Sequence, residues 1–160
     1  MDNNIKYLFF DWGDTLMVDY PQYSGAMVTW PQITPMKGVE ELLPKLSMKY
    51  KCVVVSNAAE SDAELMKQAF VKVHLDNYFY LFITSKELGA KKPELSFYKN
   101  ALHRISANAG EIMMIGNDYV KDIESAKAVG IGTILISDKD GNFPNADYVI
   151  EDFSQLSFLL

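Results

Sequence analysis

The stretch "FFDWGDTL", residues 9–16, ends an apolar run in an aspartate and then sets Gly13, a second aspartate and Thr15 behind it. Two carboxylates and a hydroxyl at the end of a hydrophobic strand have a plain structural use, because Asp, Gly and Thr all favour turns. They also have a chemical use, as a nucleophile beside a cation site. The other strand ends of the chain decide between the two.

Five further apolar runs read as strands. With "KYLFF" (6–10) they are "KCVVVS" (51–56), "YLFITS" (80–85), "EIMMIG" (111–116), "GTILIS" (132–137) and "DYVI" (147–150). They are nearly continuous in apolar residues, as strands covered on both faces are. Amphipathic segments lie between them. In 39–50, Val39, Leu42, Leu43, Leu46 and Tyr50 keep helical spacing, with Pro44 as an interruption. In 61–73, Ser61 and Glu64 form a capping-box pattern. In 94–105, Phe97, Ala101, Leu102 and Ile105 share a face, and 118–129 has Asp118 as N-cap and Gly130 as stop. Strands alternating with helices predict an α/β domain with a parallel sheet between two helical layers. Residues 17–38, rich in Pro, Tyr and Trp without a clear period, read as a surface excursion from one domain spanning 1–160.

Composition narrows the function. The chain has 160 residues, 49% apolar and 22% charged, ordinary values for a globular protein. A net charge of −6 argues against a nucleic-acid partner, because binding phosphate backbones leans on Lys and Arg. The single cysteine, Cys52, sits in a core strand and allows no disulfide within one chain. No run is long enough to span a membrane, and the first residues lack the pattern of a secretory leader, so a cytoplasmic setting is expected.

In an open parallel sheet, ligands sit outside the carboxyl ends of the strands. The first strand delivers Asp11, Gly13, Asp14 and Thr15 there, and the second Ser56 and Asn57. The fourth delivers Gly116, Asn117 and Asp118, with Asp122 four residues on. "GAKKPE" brings Lys91 and Lys92 after the third. A carboxylate that attacks phosphorus needs a divalent cation to screen like charges. It also needs a fixed ammonium and small donors around the phosphoryl oxygens. All these parts are present.

Four stretches, "FFDWGDTL", "VVVSNAA", "GAKKPELSFY" and "MMIGNDYVKDIESAKAVGI", resemble in order the four motifs of the haloacid dehalogenase-like (HAD) hydrolase superfamily. The resemblance implies a Rossmann-like three-layer sandwich and a Mg²⁺-dependent phosphatase acting through an aspartyl-phosphate on Asp11. Ser56 and Asn57 would hold the transferred group. Lys92, the lysine beside Pro93, would pair with Asp11 and the phosphoryl oxygens. The Gly13 carbonyl, with Asn117, Asp118 or Asp122, would join Asp11 around the metal, and Thr15 would brace the loop.

Two positions depart from the family pattern. Family phosphatases carry a proton-donating aspartate two residues after the nucleophile, where this chain has Gly13; Asp14 is the candidate replacement. The acid expected directly after Gly116 is Asn117. Relatives that hydrolyse C–halogen or C–P bonds also lack the acid at position 13, and a weakened site could serve binding or regulation instead of catalysis. Neither 17–38 nor 58–90 is long enough for a large cap domain. An open site predicts a bulky or macromolecular phosphorylated substrate, with Tyr20, Tyr23 and Trp30 near its mouth. His74 and His103 lie in helical segments and are assigned no chemistry.

Overall fold

The computed structural model describes residues 4–58 and 60–160. Residues 1–3, in the stretch read for a leader, and Ala59, the last residue of the second motif, lie outside the described residues.

Six parallel strands form one sheet: β1 (Tyr7–Phe10), β2 (Lys51–Ser56), β3 (Leu81–Thr84), β4 (Ile112–Gly116), β5 (Gly132–Ile136) and β6 (Tyr148–Ile150). Their order is β3-β2-β1-β4-β5-β6. Side chains alternate across the strands and feed two cores. Leu8, Phe10, Val54, Met113 and Ile115 face a layer built from α1 (Val39–Ser47) and α2 (Ala63–Lys72), with Phe153 and Leu156 beside them. Phe9, Val53, Val55, Ile83 and Met114 face the opposite layer, where α4 (Leu95–Ile105) supplies Phe97, Tyr98 and Ala101. A short α3 (Ser85–Leu88) follows β3 directly. The result is the Rossmann-like three-layer α/β sandwich that the alternating pattern predicts.

The predicted strands match the observed ones to within a residue at each end. Three local features differ from expectation. The cap of α2 is Asp62, whose carboxylate accepts from the Leu65 N–H, rather than Ser61. Helix α1 runs through Pro44, because Val39, Leu42, Leu43 and Leu46 are all buried and their packing outweighs the lost backbone bond. The segment after β4 begins as a π-helix over Tyr119–Glu124 before α5 (Ser125–Lys127).

Residues 17–38 fold back on the first loop. Val18 N–H donates to the Thr34 carbonyl and Met36 N–H to the Leu16 carbonyl, closing the base of the excursion. Tyr20, Tyr23 and Trp30 form an aromatic cluster of tilted rings within it, and Met27 is buried in the α1–α2 core. Among the described residues, no helix is long and apolar enough to cross a membrane.

Candidate active site

The strand order reverses between β1 and β4, and the chains leaving these strands diverge there to open a crevice. Asp11 and Asn117 stand on its two sides. An open cavity of about 240 Å³ is lined by Asp11, Gly13, Ser56, Lys92, Asn117 and Asp122, with Asp14, Asp19, Asn57, Asp118 and Lys121 around them. The carboxyl edge of the sheet therefore brings the sequence-derived set together except Lys91 and Gly116, which do not line the cavity, and Thr15, which is buried.

Lys92 anchors the arrangement. Its side chain is 2% exposed, and its Nζ donates to Asp11 Oδ1 at 2.8 Å and to Asp122 Oδ1 at 2.7 Å. Burial alone would discharge the amine, but the two carboxylates outweigh it and hold the ammonium protonated. Lys91, its neighbour, points to solvent. Asn57 fixes the lysine's backbone: its Oδ1 accepts from the Lys92 N–H at 2.7 Å, and its Nδ2 donates to the Lys92 carbonyl at 3.0 Å. Both ends of the Asn57 amide thereby position Lys92. Ser56, at the end of β2, is nearly buried, and its hydroxyl makes no hydrogen bond among the described residues, which leaves it free for a ligand.

Asp122 is fully buried. Its Oδ1 takes the lysine and its Oδ2 accepts from the Asp118 N–H at 3.0 Å. Burial and the nearby charge of Asp11 push its carboxyl upward, while Lys92 pulls it back. With both oxygens engaged, Asp122 is a holder of Lys92 at the border of the cavity. Gly116 makes room for it, since a Cβ there would come within 2.3 Å of Asp122 Oδ2. Asp118 caps the following helical turn by accepting from the Lys121 N–H at 2.9 Å, and its partly exposed carboxylate borders the cavity.

Asn117 stands with Asp11 and Gly13. One terminal atom of its carboxamide lies 3.2 Å from the Gly13 carbonyl oxygen, 3.2 Å from Thr15 Oγ1 and 3.3 Å from Asp11 Oδ2. With its nitrogen turned this way, the amide donates to all three. With its oxygen turned this way, it accepts from the Thr15 hydroxyl at 3.2 Å and faces the Gly13 and Asp11 oxygens, which a bound cation would hold together. Adjacent ligands on an octahedral ion with bonds of ~2.0–2.1 Å stand about 3 Å apart. Asp11, the Gly13 carbonyl and Asn117 thus fit a small hard cation. Among the described residues no three Asp, Glu, His or Cys side chains gather as a metal cage, so the set is low in charge.

Asp14 lies outside this cluster. It occupies the left-handed region at φ 57°, and its Oδ1 accepts from the Asp19 N–H at 2.9 Å. Asp19 is a site residue the sequence did not reveal, since nothing in the aperiodic stretch 17–38 marks it. It lines the cavity, and partial burial with the charges of Asp14 and Asp11 pushes its carboxyl above the ordinary value. Of the three aromatic residues expected at the mouth, Trp30 lines a neighbouring cavity with Trp12 and Met27.

The chain resembles known proteins in sequence and in fold. The chain is 24% identical over 174 residues to a ribulose-1,5-bisphosphate 5-phosphatase of Halopiger xanaduensis, covering 97% of this chain and 72% of that protein. It is 32% identical over 94 residues to a glyceraldehyde 3-phosphate phosphatase of Methanocaldococcus jannaschii, covering 58% of this chain but only 41% of that one. A Bacillus subtilis HAD-hydrolase structure bound to magnesium superposes with a TM-score of 0.79 at 14% identity, over 99% of both chains, which is a likeness of fold. The family model described as haloacid dehalogenase-like hydrolase matches residues 2–136, a span that holds all four motifs and the whole crevice, and the chain belongs to that family.

Proposed function

We propose that the protein is a Mg²⁺-dependent phosphatase in which Asp11 forms an aspartyl-phosphate. The observation that carries this reading is the buried ammonium of Lys92, held between Asp11 and Asp122 at 2.8 and 2.7 Å. It keeps one Asp11 oxygen oriented and places a positive charge where phosphoryl oxygens would arrive. The other Asp11 oxygen, Oδ2, lies 3.3 Å from the Asn117 carboxamide, which also borders the Gly13 carbonyl oxygen. Mg²⁺ held there by Asp11, the Gly13 carbonyl and Asn117 would screen the repulsion between carboxylate and phosphate. Ser56 Oγ, free of protein partners among the described residues, would donate to the transferred group. Asp122 and Asn57 keep Lys92 in place from below.

Relatives named as phosphatases of phosphorylated sugars support this reading. The open cavity also suits larger phosphorylated substrates, so small sugar phosphates and phosphopeptides are both compounds to test. In the test, the protein is mixed with p-nitrophenyl phosphate and Mg²⁺, quenched in acid, and the peptide containing Asp11 is weighed. Wild type gains one phosphoryl group on Asp11. Asp11→Asn gains none and loses at least about 10³-fold in kcat/KM, as removal of a nucleophile does. Turnover of Asp11→Asn at the wild-type rate would refute the mechanism.

A further inference from the structure

Two cavities meet at the carboxyl edge of the sheet. The first, about 240 Å³, is the charged one beside Asp11, Lys92 and Asn117. The second, about 270 Å³, is lined by Trp12, Met27, Trp30, Ala58 and Ser61 among others. Gly13, Asp19 and Ser56 line both. For a phosphate ester bound with its phosphoryl group against Asp11, the second cavity would receive the organic part. The bond that breaks then lies at the junction, between the three shared residues.

Asp19 is the only carboxyl among those three. A Cβ built on Gly13 would stand 3.4 Å from Asp19 Cβ and 3.5 Å from Asp19 Oδ2. The Asp19 side chain therefore fills the space into which a side chain at position 13 would reach. Its placement is fixed at the backbone, where Asp14 Oδ1 accepts the Asp19 N–H at 2.9 Å. The preceding residue is tied down as well, with Val18 N–H donating to the Thr34 carbonyl at 2.8 Å.

From this placement we infer that Asp19 is the catalytic carboxyl on the leaving-group side and that Asp14 is its positioning residue. The inference rests on the aspartyl-phosphate reading above. In the first step an Asp11 oxygen bonds to phosphorus and the bond from phosphorus to the ester oxygen breaks. The electron pair stays on that oxygen, which takes the proton from Asp19, and the alcohol departs. In the second step Asp19, now a carboxylate, takes a proton from the water that bonds to phosphorus. The bond between phosphorus and Asp11 breaks, which restores both carboxyl groups and releases inorganic phosphate.

A leaving group that is stable as an anion needs little protonation, whereas an alkoxide needs much. The test measures kcat/KM for p-nitrophenyl phosphate and for alkyl phosphates of rising leaving-group pKa. Asp19→Asn is expected to lose about 10²–10⁴-fold on alkyl phosphates but only about tenfold on the nitrophenyl ester, mostly in kcat. Asp19→Ala empties the space beside Gly13, and adding Gly13→Asp to it places a carboxyl there. That double variant is expected to regain at least about tenfold on alkyl phosphates over Asp19→Ala alone. Gly13 is outside the left-handed region, so the added side chain meets no backbone strain. Equal losses on all leaving groups, with phosphorylated Asp11 still forming in wild type, would overturn the role of Asp19 alone. Absence of phosphorylated Asp11 in wild type would overturn both readings.

Discussion

Lys92 shows how one residue's environment sets its chemistry. Its ammonium is buried with two carboxylates, and the two differ in burial: the Asp11 side chain is 15% exposed and that of Asp122 is 1% exposed. Removing one partner of a buried pair leaves an uncompensated charge and costs about 3–5 kcal/mol. Lys92→Met, which leaves Asp11 and Asp122 without the ammonium between them, is therefore expected to lower the melting temperature by roughly 6–20 °C, at ~2–4 °C per kcal/mol for a chain of this size. Asp11→Asn leaves Asp122 and Lys92 as a balanced pair and is expected to melt close to wild type. Thermal melts of the two variants check this, and an equal drop in both would contradict it.

At the scale of elements, backbone groups freed by irregular winding find side-chain partners. The carbonyl of Lys121, inside the π-helical turn, accepts from the Tyr98 hydroxyl at 2.9 Å and from Ser125 Oγ. Such wide turns persist where side chains take up displaced carbonyls, and this one carries Asp122 beneath Lys92. A second connection ties the edge of the sheet. Asp147, just before β6, accepts from the Thr133 N–H of β5 at 2.9 Å and pairs with Lys127 at the end of α5. Partial burial works against its charge, but Lys127 and the Thr133 N–H outweigh burial and hold its pKa below the ordinary 3.8. A carboxyl whose folded pKa is depressed adds stability that is complete above its unfolded pKa and is lost as pH falls through the folded one. Wild type is thus expected to be more stable than Asp147→Asn at neutral pH, with the gap closing as pH falls below 3.8. Urea denaturation at several pH values reads the gap; one that widened in acid would reverse the sign.

At the scale of the whole molecule, the crevice joins loops from distant parts of the chain, so a cation bound there stabilises the entire fold. A ligand at 100 times its Kd adds about 2.7 kcal/mol, which raises the melting temperature by roughly 5–10 °C at this chain length. Wild type is expected to show this shift only at high Mg²⁺, because Asp11 is the one carboxylate in the oxygen cluster. Asn117→Asp adds a second charge and is expected to reach the same shift at roughly tenfold lower Mg²⁺. No shift in either protein, followed by differential scanning fluorimetry, would remove the cation site.

The sequence by itself determined the strands, the parallel α/β class and the chemistry offered at each strand end, because alternation of apolar runs with helical spacing is a local signal. It also placed Asp118 as a helix cap, which needs only its neighbours. The tertiary structure alone decided which of the gathered residues does what. The sequence favours Lys92 over Lys91 only by its place beside Pro93, and it is packing against Asp11, 81 residues away, that buries Lys92. Asp122 is one of several carboxylates in the sequence until the glycine-sized gap at Gly116 seats it under the lysine. Asp19 carries no periodic mark at all, and its place beside Gly13 comes from the closed base of the 17–38 excursion. These assignments depend on strand order, register and loop closure, which bring together side chains that no spacing along the chain relates.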